Sequence, residues 1–195
     1  TETGQGILEI GAAPLFLTMA LSNIGHKIDA VDLAPERFSQ ALKTLGLNIV
    51  KCNIETTPLP FEDSSYSLVL FNEMFEHMRI NLIFTMREIL RVLRPGGVLL
   101  LSTPNGRSLN HLKNYLLHGR TSEIYSEYDK LLSLGHMGHV REYTSKDIIT
   151  FLEQVGFCVK ELVYRGSYSL WPKHALELLL PRLRPFISII AERPA

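Results

Sequence analysis

The chain has 195 residues, 46% hydrophobic and 21% charged, ordinary values for one globular domain that buries a core without a disulfide or metal staple. Lys plus Arg and Asp plus Glu each number 20, so the net charge is zero, which argues against a polyanion binder acting through bulk charge. Two cysteines, Cys52 and Cys158, rule out a disulfide framework and a cysteine-rich zinc module; both fall in apolar strand-like runs and are expected as buried free thiols.

Ile7–Ile10 reads as a buried strand. A helix follows, with Pro14 suited to its first position and Gly25 just past its end; it is apolar nearly all round and is expected to be well buried. Lys27–Val31 forms a second strand that ends at Asp32. Pro35 opens a helix in which Phe38, Ala41, Leu42 and Leu45 fall at i, i+3, i+4 and i+7, and Gly46 stops it. Asn48–Cys52 is a third strand and Ser67–Phe71 a fourth. A long helix from about Ile80 to Arg94 carries Ile83, Met86, Leu90 and Leu93 on one face, and Pro95-Gly96-Gly97 turns the chain into a fifth strand, Val98–Ser102. From Pro104 to Tyr143 the pattern loosens, and four of the seven histidines and four of the seven tyrosines crowd into that stretch. Thr144-Ser145-Lys146-Asp147 is a capping-box pattern that opens a helix ending at Gly156. Phe157–Val163 is a sixth strand; an apolar, proline-interrupted segment, expected as a core-covering helix, leads to a seventh, Phe186–Ala191.

Strands alternating with helices predict an α/β fold, a doubly wound sheet of parallel strands joined by crossovers, which binds ligands at the carboxyl ends of its strands. The polar residues just past those ends are Glu9 with the turn Gly11-Ala12-Ala13-Pro14, then Asp32, then Asn53-Ile54-Glu55, then Asn72-Glu73. An acid about 20 residues beyond the glycine turn suits ribose hydroxyls. A dinucleotide pyrophosphate needs three closely spaced glycines, whereas only Gly11 is present and Pro14 has no N–H to offer. S-adenosylmethionine carries no phosphate and tolerates the looser loop.

Ile7-Leu8-Glu9-Ile10-Gly11, Ala30-Val31-Asp32-Leu33, Pro60-Phe61 with Ser65-Tyr66-Ser67-Leu68-Val69, Glu76-His77 and Leu93-Arg94-Pro95-Gly96-Gly97 together resemble the class I S-adenosylmethionine-dependent methyltransferases of the type 11 group, over most of the chain. The resemblance implies a mostly parallel, seven-stranded Rossmann-like sheet with an antiparallel last strand. It implies a single methyltransferase domain over residues 1–195, with 104–143 as an acceptor-recognition insert. It also implies S-adenosylmethionine as cofactor, with S-adenosylhomocysteine as product. Glu9, Gly11, Ala12 and Ala13 would hold its methionine part, Asp32 its ribose and Leu33 its adenine; Asn53 and Ile54 would border the adenine edge, and Asn72 and Glu73 the reacting methyl. The family usually has glycines where Ala13 and Leu15 stand.

His139 and then His77 are the candidate general bases. Other readings stay open: Asp32 as a helix-capping acid, Glu9 as a strand-end acid bonded to backbone, Glu76-His77 as a surface ion pair or a helix N-terminal acid, and the stretch around His139 and Tyr143 as a hydrogen-bonding corner. No metal site is expected, because His136 and His139 supply only half a tetrahedral shell. The expected partner is a small-molecule acceptor, such as a sugar, lipid precursor or quinone-like metabolite, and not nucleic acid; a homodimer is left open. A methyltransferase-like interaction module that binds the cofactor weakly is the alternative, and a nicotinamide-dependent oxidoreductase a lesser one. With no charge-free apolar run of ~18 residues and no signal-peptide pattern, a cytoplasmic protein without a transmembrane segment is expected. The start at Thr1, running almost at once into a strand, reads as a chain that lacks an N-terminal helix.

Overall fold

The computed structural model describes residues 6–120, 122–134, 138–167 and 171–195. Seven strands, β1 (Gly6–Ile10), β2 (Ile28–Asp32), β3 (Val50–Lys51), β4 (Tyr66–Asn72), β5 (Leu93–Pro104), β6 (Cys158–Arg165) and β7 (Phe186–Glu192), form one sheet in the order β3-β2-β1-β4-β5-β7-β6. The first five run parallel; β7 lies antiparallel to both β5 and β6. The chain leaves β1 for β2 on one side and reaches β4 on the other, so the crossovers diverge beside β1. That is the switch point where such sheets open a crevice.

Adjacent strand residues point to opposite faces, so both faces need a cover. In β2, Val31 joins a large core whose helical side comes from α3 (Leu82–Val92) and α6 (Ser145–Val155). Its neighbour Ala30 joins a smaller cluster on the other face with Ala12, Leu15 and Ile49, packed against Met19 of α1 (Phe16–Asn23) and Ala41 and Leu42 of α2 (Ser39–Leu45). The capping box opening α6 is formed as the sequence predicts: the Thr144 hydroxyl accepts from the Asp147 N–H, and the Asp147 carboxylate accepts from the Thr144 N–H. The loose segment after β5 contains α4 (Leu109–His118) and α5 (Ile124–Leu134).

Several local expectations are corrected. Helix α1 begins at Phe16, after Pro14, and is largely exposed, with Phe16 75% accessible, because among the described residues nothing forms a second layer outside it. The buried face of α3 is Thr85, Met86, Ile89 and Val92, while Ile83 faces outward; the apolar stripe is rotated by about one residue, or ~100°. Leu93 is buried as the first residue of β5, and the pairing jumps from Tyr66–Leu93 to Leu68–Val98, so Arg94–Gly97 bulges within the strand. A side chain at Gly97 would meet the Arg94 carbonyl, which explains the glycine there. Strand β3 is only two residues long. Cys158 opens the edge strand β6 on its solvent side and is exposed; Cys52 is buried. Helix α7 (Trp171–Leu179) leaves Leu178 and Leu179 mostly exposed, while Leu183 just past it is buried. No helix among the described residues is long and apolar enough to cross a membrane.

Candidate functional site

The strand-end residues stand at the carboxyl edge of the sheet, at the ends of β1, β2 and β4. Glu9 is buried in β1, its carboxylate accepting the Thr18 hydroxyl of α1, and burial pushes its carboxyl above the ordinary value. The turn after it folds back on β2: the Gly11 and Ala12 N–H groups donate to the Val31 carbonyl at 2.9 and 3.3 Å. Gly11 sits at φ 76°, and the Met74 side chain lies over it where any Cβ would fall. Leu15 is also left-handed, at φ 78°, yet buried.

Asp32 closes β2. Its Oδ2 accepts the Ala13 N–H at 3.1 Å and its Oδ1 the Ala34 N–H at 2.9 Å, so this one carboxylate shapes both loops. Leu33 beside it is 56% exposed. Asn53 caps the next turn through the Glu55 N–H at 3.2 Å, and Ile54 is buried in the core. Glu55 accepts the Arg79 and Ile80 N–H groups, each at 2.6 Å, which makes it an anchor for the chain leading into α3. Asn72 ends β4. Glu73 follows at φ 51°, its Oε1 held by Ser102 Oγ and by Arg165 of β6, both at 3.0 Å.

The second half of the site starts in the turn Phe75–His77. Glu76 is 1% exposed, which removes the surface ion-pair reading. Its Oε2 accepts the Thr103 hydroxyl of β5 at 2.8 Å, its Oε1 has no hydrogen-bond donor, and burial pushes the carboxyl up to about 7. His77 and His139, separated by most of α3, β5 and the insert, meet edge to face with ring centroids 5.1 Å apart. His139 comes from the segment after α5, which Glu127 pins: its main-chain carbonyl accepts the Gly138 N–H at 3.0 Å, and its carboxylate accepts the His139 N–H at 2.7 Å. His139 Nδ1 lies 2.8 Å from Glu142 Oε1, and that carboxylate pushes the imidazole above its ordinary value. Glu142 also pairs with His111 Nε2 at 3.0 Å; burial alone would raise its carboxyl, but the two histidines bring it down to about 2.

The structure therefore brings the turn Gly11–Ala13 and Asp32 together at the ends of β1 and β2, with Glu9 and Leu33 beside them in the chain, and separately brings His77 and His139 together; Asn72 and Glu73 lie between the two groups in sequence. A cavity of about 350 Å³ lies against the second half, lined by His111, Glu127, His139, Arg141 and Glu142 among others. His136 lies outside the described residues. Sequence reasoning missed Glu127 and His111 as supports of His139; the crowding of histidines in the insert was the only available signal.

The family described as "Methyltransferase domain" matches residues 8–101. A malonyl-[acyl-carrier protein] O-methyltransferase of Erwinia billingiae is 32% identical over 113 residues, covering 56% of this chain and 43% of that protein. A ubiquinone biosynthesis O-methyltransferase of Xanthomonas campestris is 31% identical over 106 residues, 52% of this chain and 44% of that protein. A further match, an uncharacterized methyltransferase of a Mycobacterium species, is 29% identical over 136 residues, 65% of this chain and 51% of that one. The chain thus spans about half the length of the curated relatives it matches. Solved S-adenosylmethionine-dependent methyltransferases from Mesorhizobium loti (TM-score 0.67, 17% identity, 98% of this chain and 92% of that one) and Archaeoglobus fulgidus (0.68, 16%, 97% and 86%) share the fold.

Proposed function

We propose that this chain, which belongs to the class I S-adenosylmethionine-dependent methyltransferase family, transfers a methyl group to an oxygen nucleophile of a small molecule in the cytoplasm. The observation that carries this reading is the buried Glu76, three residues past the strand-end Glu73, beside His77 and His139, with His139 itself lining a cavity. The malonyl and ubiquinone relatives are both named for transfer to oxygen, which supports that acceptor atom.

The strand-end residues fit S-adenosylmethionine. Gly11 presents a face without a side chain; Met74, whose thioether chain is unbranched and adaptable, lies nearest to it. Each oxygen of Asp32 accepts one backbone N–H and keeps a lone pair for a ribose hydroxyl. Exposed Leu33 offers an apolar surface to adenine. Asn53 and Ile54 would border the adenine edge; Glu9, Ala12 and Ala13 with Gly11 would hold the methionine part, and Asn72 and Glu73 the reacting end. When bound, the cofactor supplies an activated methyl on a sulfonium. The protein's part is orientation, which contributes ~7–11 kcal/mol in well-aligned reactions, together with exclusion of water and removal of the acceptor proton. His139, oriented by Glu142, is the first group placed to draw that proton and His77 the second; a base typically contributes ~10²–10⁴-fold. The insert 104–143, with its cavity, selects the acceptor: a sugar, a lipid precursor or a quinone-like metabolite. The zero net charge supports a small molecule over nucleic acid. The unpaired cysteines and the lack of a membrane-spanning helix among the described residues support the cytoplasm.

Calorimetry with S-adenosylmethionine and S-adenosylhomocysteine, followed by mass spectrometry of acceptor panels, tests the proposal. Saturable heat and methylated product are expected. No heat and no melting shift at millimolar ligand would make the chain a methyltransferase-like interaction module.

A further inference from the structure

We infer that Glu76, His77 and His139 bind a divalent transition-metal ion. The inference deepens the reading above and rests on it only for the ion's role, not for its binding. The three groups offer ligand atoms that all lie within 4.8 Å of one another. Glu76 Oε1 stands 3.9 Å from His77 Nε2 and 4.0 Å from His139 Nε2. Those separations are too long for hydrogen bonds. Bonds of about 2.0–2.2 Å put tetrahedral ligand atoms roughly 3.3–3.6 Å apart, so the three donors stand slightly open and would draw in by about half an ångström or somewhat more around a shared ion.

Two further observations point at an ion. The Glu76 side chain is wholly enclosed, and its Oε1 has no hydrogen-bond donor while its Oε2 takes the Thr103 hydroxyl. A buried carboxylate oxygen left in that state is costly unless a cation sits against it. Each imidazole is also fixed from behind. His77 Nδ1 lies 3.0 Å from the Gly138 carbonyl, which can only accept, so Nδ1 carries the proton and Nε2 the lone pair. His139 Nδ1 lies 2.8 Å from Glu142 Oε1, with the same result. Metal-binding histidines are held in this way, with the remote nitrogen donating to a carbonyl or carboxylate.

By sequence spacing alone, His136 and His139 make only half a shell. The fold supplies the rest from the turn after β4. Two imidazole nitrogens and one carboxylate oxygen favour Zn²⁺, Fe²⁺, Co²⁺ or Mn²⁺ over Mg²⁺ and Ca²⁺, which prefer oxygen throughout. Three protein ligands leave a position open for water or an acceptor oxygen. With the ion in place the two Nε2 lone pairs would be occupied, so His139 and His77 would act as ligands and not as bases, and the ion would take over the task of loosening the acceptor's proton. An acceptor hydroxyl bound at the open position then releases its proton to solvent. The oxygen attacks the methyl carbon, and the carbon–sulfur pair returns to sulfur, leaving a methyl ether and a thioether.

Metal-stripped protein titrated with Zn²⁺ by calorimetry, and with Co²⁺ by visible absorption, tests the inference without any turnover. One ion per chain with micromolar or tighter affinity is expected. His77→Ala and His139→Ala, both at partly exposed positions, should each weaken it at least ~10-fold, and Glu142→Gln by ~10–100-fold as loss of an outer-shell partner. Absence of stoichiometric uptake, or equal affinity in the His77→Ala/His139→Ala double variant, would overturn it. S-adenosylmethionine binding measured on the same samples keeps the two readings apart: its loss with metal uptake intact counts against the methyl-transfer reading alone.

Discussion

Val140 donates its main-chain N–H to the carbonyl of Glu76 at 2.8 Å, so the strand of chain carrying His139 is stitched to the turn carrying His77. The bond uses backbone only, and the two histidines keep their places when either side chain is changed. His139→Ala is therefore expected to lower turnover by ~10²–10⁴ and leave the affinity for S-adenosylmethionine unchanged. Steady-state kinetics beside calorimetry checks this; unchanged turnover with the true acceptor for both His139→Ala and His77→Ala would remove the cluster from the reaction.

Asp32 shapes both loops and is the proposed ribose acceptor. Asp32→Ala frees the Ala13 and Ala34 N–H groups and deletes the ribose acceptor. Hydrogen bonds to a charged group contribute ~1.5–3 kcal/mol, so the cofactor dissociation constant should rise at least ~10-fold, with a lower melting temperature. Calorimetry and thermal unfolding read the two effects separately.

Leu15 occupies the left-handed region with a buried side chain. Glycine there would relieve ~1–2 kcal/mol of backbone strain. It would also remove a packed leucine, for which even truncation to alanine costs ~2–5 kcal/mol, and add chain entropy to the unfolded state. Packing wins: Leu15→Gly is expected to destabilise by ~1–4 kcal/mol in urea unfolding. A stabilised variant would mean that the loop is held by strain the family glycine normally avoids.

Glu88 accepts the Leu59 N–H at 2.8 Å and both arms of Arg91, at 2.9 and 2.8 Å. The Arg91 guanidinium holds its carboxyl below the usual carboxylate range. The unfolded chain binds that proton more tightly than the folded one, so this stabilisation is complete above pH ~4–5 and fades as the pH drops through the depressed value. Glu88→Gln should lose ~1–3 kcal/mol at neutral pH and flatten the acid limb of the stability curve. Unfolding followed from pH 7 to 3 decides it.

The strand–helix alternation, the Thr144 cap and the strand-end acids were all legible because each is written in contiguous residues. What escaped the sequence depends on what stands across from a residue. Phe16 looks like core, yet among the described residues no second layer covers it, and Cys158 looks like core until β6 turns out to be an edge. The α3 stripe was misread by one position because Ile83 and Leu90 are as apolar as Ile89 and Val92. Glu76 and His139 were each visible as candidates. Their contact, 63 positions apart, exists only because β5 and the insert bring the chain back over the end of β4.

The position of β7 orders the folding of the chain in time. Strand β6 is synthesised first, yet among the described residues its only hydrogen-bonding neighbour is β7, and β5 also waits for that strand on one side. Until β7 has left the ribosome, two strand edges stand open to other chains, the condition under which nascent sheets aggregate and chaperones are recruited. Ile187, Ile189 and Ala191 then close the sheet from within, like a keystone set last.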